Sequence, residues 1–323
     1  MKKKPYNKLL LLTIPIAILV CSIPFVSNAY VLRVVNQMMI TYLCVLSLYV
    51  INGMCGQSSF ATAGFWGVGA YITGILCTKF NCPPIISMLA SIVGTALLAF
   101  VIGLPLFRLR RYYFTFSTVG VMMILNSLFL NWTPVTGGAM GVANIPSFKL
   151  FGISVSTEIG NFFFIFLFVV LITIATKFLY HSALGRSFMA IRDNETAARC
   201  LGNDSLLTKD VAFAISGAIC GAAGALFAFL TGYLSSTTFS YTQSTLYLVM
   251  LMVGGSSTIL GSAIGSIVFS LLPEIFRSLK DYMQLFYGVG VMILMVVLPD
   301  GLSEGVKRLY AKIRKCRYER FET

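Results

Sequence analysis

Charged residues divide the chain into seven long uncharged runs. The runs are 9–32, 34–78, 80–107, 112–148, 159–176, 211–273 and 282–299. A helix needs about 20 apolar residues to cross the hydrocarbon of a bilayer, so the runs 34–78 and 211–273 can hold about two and three crossings. Each of the other runs can hold one. The pattern predicts an all-α integral membrane protein, a polytopic helical bundle of ten spans, or of eight spans with paired re-entrant or broken helices.

The composition agrees with a membrane class. Hydrophobic residues make up 57% of the chain, charged residues 11%, and the mean hydropathy is +0.86. Soluble domains carry about 25% charged residues. Residues 1–323 are therefore predicted to form one transmembrane domain. The eight cysteines contain no CxxC pair, which gives no reason to expect a metal site or a disulfide framework.

Basic residues predict the orientation. With an even number of spans, both termini, residues 108–111 and residues 177–209 lie on the same side of the membrane. That side holds 19 of the 24 Lys and Arg residues. The positive-inside rule places that side in the cytoplasm. The basic tail, 300–323, is then a cytoplasmic segment next to anionic lipid. The net charge of +13 is a topology signal, and we expect no nucleic-acid partner.

The polar segment, residues 185–202 (GRSFMAIRDNETAARCLG), interrupts the apolar pattern within a cytoplasmic loop, 182–210. It is predicted to form two short helices that meet near Asp193, which would cap the second, with Gly202 just beyond its end. An apolar face is predicted for Phe188, Ile191, Ala198 and Leu201. The charges would then face water, so a soluble partner could bind the segment. An ordinary solvated loop explains the charges equally well.

Two glycine motifs lie inside uncharged runs, the first at 52–59 (NGMCGQSS) and the second at 254–258 (GGSST). Glycine-broken helices at matching places in two halves of a chain are typical of transport sites. Tight helix packing through small residues needs the same glycines. A third glycine-rich stretch, TGGAMG, lies in the long outer loop 131–160, which could be a lid, a docking surface or a plain connection. The candidate substrate path comprises Asn52, Gly56, Gln57, Ser58, Ser59, Thr136, Gly137, Gly138, Gly254, Gly255, Ser256 and Ser257.

The distribution of ionisable groups bears on the energy source. All eleven acidic residues and the single histidine, His181, lie outside the uncharged runs. Proton-coupled carriers usually hold an ionisable relay within the membrane, so the pattern weighs against proton coupling and leaves sodium coupling open. The chain has no GxxxxGK[ST] phosphate loop, so we do not expect it to hydrolyse ATP. Energy for active transport would arrive through a partner at the polar segment.

Four stretches together resemble the LivM-type permeases of bacterial branched-chain amino-acid ABC importers. They are GMCGQSSFATAGFWGVGAYITG (53–74), YFTFSTVGVMMILNSLFLNWTPVTGGAMGVANIP (113–146), SALGRSFMAIRDNETAARCLG (182–202) and VGGSSTILGSAIGSIVFSLLPEIFR (253–277). They occur in the family's order and cover most of the chain after the first run. The combination of AIRDNETAARCLG, TGGAMG and VGGSST is specific, whereas each glycine motif alone would be weak.

The resemblance implies the ABC importer permease fold and a location in the bacterial inner membrane. It implies that the polar segment sits in a cleft of an ATPase subunit, and that the chain works with a LivH-like second permease, two ATP-binding cassette subunits and an extracytoplasmic solute-binding protein. No cofactor is expected on this chain, since ATP and Mg²⁺ would bind the ATPases. The residues expected to couple to the ATPase are Gly185, Arg186, Ala190, Arg192, Asp193, Asn194, Glu195, Ala197, Ala198, Leu201 and Gly202.

The substrate class implied by the resemblance is branched-chain or related amino acids. Permeases for urea, short amides and other small solutes belong to the same family, so they are an alternative. A self-sufficient secondary carrier is a further alternative, because nothing in the sequence pattern alone requires an ATPase.

Overall fold

The structure is a computed structural model that describes residues 29–109, 111–146, 148–150, 153–154, 158–275 and 288. Most of the run 9–32, the run 282–299 and the tail 300–323 lie outside the described residues. Among the described residues, five helices are long and apolar enough to cross a membrane, and Ile259–Glu274 forms a shorter apolar helix.

The elements follow one another along the chain as a series of helices with short connections. Helix α1 is Ala29–Leu48, continued by the π-helical turn Tyr49–Met54; the rest are α2 Thr62–Thr78, α3 Pro84–Leu106, α4 Arg111–Asn131, α5 Thr133–Thr136, the 3₁₀ turn Gly138–Met140, strands β1 Lys149–Leu150 and β2 Ile153–Ser154, α6 Glu158–His181, α7 Ala183–Asp193, α8 Glu195–Cys200, α9 Ser205–Thr231, the 3₁₀ turn Ser236–Thr238, α10 Tyr241–Gly254 and α11 Ile259–Ile275. The long apolar helices are α1 with its π-helical turn, α3, α4, α6 and α9.

A helical membrane fold is confirmed, with one small exception. Strands β1 and β2 form an antiparallel pair in which Lys149 lies opposite Ser154. The pair belongs to the long loop 131–160, which also contains α5 and a 3₁₀ turn.

Helix α9 is the central helix. In its most apolar window 78% of the residues are buried, compared with 22% in α6, which lies at the periphery. The Asp204 carboxylate accepts hydrogen bonds from the amides of Leu206 and Leu207 and so caps the start of α9. Gly232, at φ +66°, ends the helix in the left-handed conformation that glycine adopts without strain.

Helix α9 packs closely against α2 and α3 through glycine. A Cβ atom on Gly221 would lie 2.0 Å from the Thr95 hydroxyl and 2.7 Å from the Ser91 carbonyl oxygen. The Ser91 hydroxyl lies 2.9 Å from both the Gly69 and the Gly221 carbonyl oxygens, so one donor links all three helices. Close backbone approach and interhelical hydrogen bonds stabilise helix pairs inside a membrane, where lipid removes most of the hydrophobic driving force.

Ion pairs and hydrogen bonds mark one end of the bundle. The Arg33 guanidinium contacts the Glu158 carboxylate at 2.6 Å, which joins the starts of α1 and α6. Tyr30 donates a hydrogen bond to Glu274 in the last turn of α11. The polar segment lies at the other end of α6, directly after His181. The described charges thus separate into two ends, as the run pattern predicts.

Gly221→Ala is expected to destabilise the fold by about 1–3 kcal/mol, because the new methyl group would overlap a backbone carbonyl of α3. Thermal unfolding in mild detergent measures the effect. Gly120→Ala on α4 is the matched control, since nothing lies within 4 Å of its Cβ position. The control should be neutral or up to about 1 kcal/mol more stable, because alanine favours helix. Equal melting temperatures for the two variants would contradict glycine-dependent packing.

Candidate functional site

The polar segment forms two short helices, α7 and α8, as predicted. Phe188, Ile191 and Ala198 are buried at 0%, 4% and 2% exposure and hold the pair against the bundle. Gly202 has φ +84° and follows α8 at the predicted position. Its amide donates to the Arg199 carbonyl at 2.9 Å, and the next amide donates to the Ala198 carbonyl at 3.1 Å. These two bonds form a Schellman motif, which only a left-handed residue such as glycine allows without strain.

Two details of the predicted segment are wrong. Asp193 is the last residue of α7, and Asn194 caps α8, with its side-chain oxygen accepting the Ala197 amide hydrogen at 3.1 Å. Asn194 has the extended backbone that a cap requires (φ −157°, ψ 105°), whereas Asp193 is still helical. Leu201 is 82% exposed and does not join the apolar face, because α8 ends at Cys200 and Leu201 leaves the helical register.

Glu195 links α8 to α9. Its carboxylate accepts hydrogen bonds from Lys209 at 2.6 Å and from Arg199 at 2.7 Å. Partial burial raises the pKa of the Glu195 carboxyl, but the hydrogen bond and charge of Lys209 lower it, and the net pKa lies below its ordinary value. Ser205 and Arg199 add to this lowering. Because the Lys209 side chain is only 9% exposed, Glu195 supplies the charge that a buried ammonium needs.

The outer surface of the polar segment combines charge with exposed leucines. Leu201 is 82% exposed, and Leu184 and Leu207, which flank the segment within the loop 182–210, are 49% and 51% exposed. Large apolar side chains in a charged segment outside the bundle are typical of a surface that docks another protein. Of the residues predicted to couple to an ATPase, seven are exposed, namely Arg186, Arg192, Asp193, Asn194, Ala197, Leu201 and Gly202. Gly185 and Ala198 are buried, while Ala190 and Glu195 are intermediate.

Arg192 connects the polar segment to the first glycine motif. Its Nη1 donates to the Gly53 carbonyl oxygen at 2.6 Å. Its side-chain Cγ lies 2.7 Å from the position a Cβ atom would take on Gly56. Gly56 also has φ +72°, so both space and backbone conformation require glycine there. The sequence places Arg192 in the coupling set but does not show that it touches the broken helix.

The first glycine motif ends α1 as a broken helix. The π-helical turn Tyr49–Met54 closes with Gly56 and Gln57 amides that donate to the carbonyls of Asn52 and Ile51, both at 3.0 Å. Residues 55–61 are then non-helical until α2 begins. The Asn52 amide lies 3.4 Å from the Ser58 hydroxyl, and Gln57 and Ser59 are buried. Turns of π-helix inside α-helices frequently occur at functional sites.

The second glycine motif lies against the first. A Cβ atom on Gly53 would be 2.2 Å from the Ser256 carbonyl oxygen. Gly255 has φ +110° and ends α10, whose 14 residues span about 21 Å and fall short of a full crossing of about 30 Å. A Cβ on Gly254 would lie 2.0 Å from the Gly261 carbonyl oxygen, and a Cβ on Gly261 would lie 2.1 Å from the Gly255 carbonyl oxygen. Both glycines therefore allow α10 to pack closely on α11. Packing thus explains these two glycines, while Ser256 and the exposed Ser257 occupy the break.

The third predicted stretch is not brought together with the other two. The Thr136 hydroxyl lies 2.9 Å from the carbonyl oxygens of Phe129, in the last turns of α4, and of Trp132, just after α4. Gly137 and Gly138 have φ +75° and +60° and turn the chain. Lys79, at the end of α2, donates to the neighbouring Pro134 carbonyl at 2.5 Å, so this loop lies beside the far end of α2, about 25 Å from the first motif.

Asp210 was not singled out by the sequence pattern. It lies in the second turn of α9, is 1% exposed, and neither of its carboxylate oxygens has a hydrogen-bond partner among the described residues. Its Oδ1 lies 1.9 Å from the position a Cβ would take on Gly103. The expectation that no acidic group lies within a spanning helix is therefore wrong for Asp210. Uncharged runs place the start of this span after Asp210, but α9 begins at Ser205, five residues before Asp210.

The arrangement so far is a polar segment at one end of the bundle in contact with a pair of broken helices. The family model for the branched-chain amino acid transport system permease component matches residues 30–298. The chain belongs to this family. Within the described ranges, no group of three or more His, Cys, Asp or Glu residues could hold a metal ion.

The permease is similar to several characterised relatives. LivM, a high-affinity branched-chain amino acid transport system permease protein of Escherichia coli K12, is 30% identical over 318 residues, which cover 89% of this chain and 73% of LivM. LivM of Salmonella typhimurium LT2 is 30% identical over 308 residues, covering 86% and 71%. LsrC of Enterobacter sp. strain 638, an autoinducer 2 import system permease protein, is 26% identical over 269 residues, covering 79% and 74%. No solved structure matches the chain.

Family membership and the apolar helices establish a LivM-type permease component of an ABC transporter, a multi-pass protein of the bacterial inner membrane. Its relatives are transporter subunits and not enzymes.

Hydrogen exchange of the α8 amides should depend on pH through Glu195. Because the folded pKa of Glu195 is lowered, its stabilising effect is present above the ordinary glutamate pKa of about 4.3 and is lost as pH falls through the folded value. Protection, corrected for intrinsic exchange, should be constant near neutral pH and decline in acid. Glu195→Gln should lower protection at neutral pH and remove the decline, while Asp193→Asn, at an exposed carboxylate, should change neither. A decline that persists in the Gln variant would contradict this role.

Proposed function

We propose that the permease belongs to an ATP-driven importer that moves branched-chain or related amino acids delivered by an extracytoplasmic binding protein. The observation that carries the proposal is the unbroken series of contacts from the polar segment, through Arg192, to both glycine motifs. The printed names of the LivM relatives support the substrate class.

The proposed assembly contains a LivH-like second permease, two ATPase subunits that bind ATP and Mg²⁺, and the binding protein. Both termini and the polar segment lie in the cytoplasm of this assembly. The exposed Leu201 and Leu184 supply the apolar centre of the ATPase contact, and Arg186 and Asp193 supply its charged rim.

The coupling proceeds by movement of α7 and α8 as a unit. An ATPase that displaces the polar segment also displaces the Arg192 guanidinium, which holds the Gly53 carbonyl at 2.6 Å. Gly53 in turn contacts the Ser256 backbone, so both broken helices shift together. ATP changes the population of inward- and outward-open states because it changes the position of this one contact.

Two alternatives make different predictions. A permease for urea or another small solute uses the same assembly and differs only in the solute transported, and the LsrC relatives are named for autoinducer 2 import. A self-sufficient secondary carrier would transport in liposomes that contain this chain alone. The buried carboxylate of Asp210 keeps that alternative open, because ionisable groups within spans commonly serve ion-coupled carriers.

Leu201→Asp is expected to weaken binding of the ATPase subunits by about tenfold or more, because it places a charge at the most exposed apolar side chain of the polar segment. Quantitative pull-down of the tagged permease from mild detergent measures the loss. Leu109→Asp is the control, since Leu109 is an exposed leucine (46%) outside the segment. Equal ATPase recovery from the two variants would overturn the assigned docking surface, and transport by the chain alone would overturn the importer.

Arg192→Ala should separate docking from transport. The variant loses the hydrogen bond to Gly53, so we expect normal ATPase recovery, retained ATP hydrolysis and uptake lowered about tenfold or more. Arg186→Ala is the control for loss of one positive charge, because the Arg186 guanidinium donates to the His181 carbonyl within its own loop and, among the described residues, makes no contact with either glycine motif. Uptake that falls equally in the two variants would show that charge on the segment matters and the Gly53 contact does not.

A further inference from the structure

A buried carboxyl group without a partner lies in the second turn of α9. Asp210 is 1% exposed, and neither of its oxygens has a hydrogen-bond partner among the described residues. Buried carboxylates are normally paired or hydrogen-bonded, because an unpaired charge is costly to take out of water. The coupling proposed above does not use this group, so its presence needs a separate explanation.

The surroundings of the Asp210 carboxyl are apolar. Its Cγ and the Cδ1 ring carbon of Phe213 each lie 3.2 Å from the position that a Cβ on Gly103 would take. The carboxyl group therefore fills the space that Gly103 leaves on α3. The Phe213 ring meets the rings of Phe107 and Phe114 at centroid distances of 5.7 and 6.0 Å, and all three rings are buried. The carboxyl group thus lies between a helix backbone and an aromatic cluster.

No cation compensates Asp210 within the part of the chain that the structure describes. The adjacent Lys209 ammonium is bound to Glu195 at 2.6 Å, and none of the ion pairs between described residues includes Asp210. Helices α2 and α3, which pack against α9, contain no charged residue. Arg108, just beyond α3, is exposed, and the side chains of Arg110 and Arg111 lie outside the described residues.

The other charged groups of the neighbouring elements face water. They are Lys177 and His181 on α6, Arg186, Arg192 and Asp193 on α7, and Arg199 on α8, and all six are exposed. Free amides at the start of a helix can stabilise an anion, but at the start of α9 the Leu206 and Leu207 amides donate to Asp204. The described surroundings therefore offer Asp210 no compensation for a negative charge.

Burial without a partner favours the neutral form of a carboxyl group. A carboxylate would lose its hydration in this site and gain nothing in return, whereas the uncharged acid loses much less. The amide of an asparagine would fit the same space equally well. The geometry thus indicates that Asp210 carries a proton in this conformation.

The contact that encloses the carboxyl group can open locally. Gly103 lies 12 residues beyond Ser91, about 18 Å along α3, so the hydroxyl contact of Ser91 with α2 and α9 does not hold this end. Pro105 has no amide hydrogen to donate within α3, which weakens the last turns of that helix. The polar segment is attached at the same end, through the bond between Lys209 and Glu195.

We propose that Asp210 is a proton-binding site that makes the contact between α3 and α9 sensitive to pH. The closed contact holds the protonated acid. When the contact opens and water enters, the acid loses its proton, because an aspartate in water is ionised at neutral pH. Rising pH therefore favours the open contact and falling pH favours the closed one, which is the opposite sign to the effect of Glu195. In the importer proposed above, this end faces the cytoplasm, so cytoplasmic pH acts where the ATPase acts.

Hydrogen exchange of the full chain in lipid nanodiscs measures the opening directly. Peptides covering 101–109 and 205–214 report on the two sides of the contact, with rates corrected for intrinsic exchange. From about pH 5 to about pH 7, we expect the opening constant to rise severalfold per pH unit, and at most about tenfold, because one proton is released. In Asp210→Asn the opening constant should match the wild-type value at the acidic end and should not depend on pH.

Two variants control for other groups that change charge. Asp193→Asn removes an exposed carboxylate, and His181→Asn removes the single histidine of the chain. Both should keep the wild-type dependence on pH. A wild-type opening constant that does not change with pH, as when a cation pairs with Asp210, would overturn the proposal. The same dependence in Asp210→Asn as in the wild type would also overturn it.

Infrared spectroscopy tests the protonation state without any variant. Spectra of the chain labelled with ¹³C-aspartate separate a protonated carboxyl group from a carboxylate. At about pH 5.5 an aspartate in water is almost fully ionised, as expected for the exposed Asp193 and Asp204. We expect a labelled band of a protonated carboxyl group that disappears as the pH rises. Carboxylate bands alone at this pH would reject a protonated Asp210, even if the Asn variant does not fold.

The proton site and the proposed import function fail separately. Exchange and infrared spectra use the permease alone, so a negative result there leaves the importer intact, and failure to recover an ATPase leaves the proton site intact. In the complete transporter, uptake should depend on the pH at the polar-segment side in the wild type and less so in Asp210→Asn. Identical pH profiles would reject an action on transport. Uptake driven by a proton gradient in liposomes with this chain alone would make Asp210 a coupling group and overturn the switch.

Discussion

The close approach of two backbones at Gly53 is the constraint on which the functional architecture depends. A side chain there would collide with the Ser256 carbonyl, at 2.2 Å, and with the ring of Tyr49. The same residue offers its carbonyl to Arg192. Because Gly53 has no side chain, two broken helices and a polar segment share a single point of contact. Any bulkier residue would separate the broken helices and weaken the path from the segment to the membrane interior.

Much of this fold can be predicted from the sequence because membrane helices leave a strong signal. Uncharged runs locate α3, α4 and α6 without ambiguity, and Gly202 marks the end of the polar segment. Asn194 displaced Asp193 as the cap because both can serve and only the backbone decides between them. Leu201 was misplaced for a related reason, since a six-residue helix ends before the periodicity can be read reliably.

The site itself was only partly accessible to sequence reasoning. Glycine and hydroxyl residues mark a break but do not reveal which breaks meet in space, so Thr136 was grouped with Gly56 although they lie at opposite ends of α2. Asp210 was missed as a residue of a spanning helix because every charged residue ends an uncharged run. A prediction based on such runs therefore cannot place a charge inside a span.

The hydroxyl of Ser91 has a consequence for how the bundle can move. One oxygen joins the backbones of α2 and α9 from its position on α3, at the level where Gly69 and Gly221 bring those backbones together. The single hydroxyl hydrogen is shared between the two carbonyl oxygens, so these three helices cannot shear against one another without disrupting this shared contact. In the import cycle proposed above, movement is therefore expected in the elements outside these three helices. The peripheral helix α6 is one of them, and it leads directly into the polar segment.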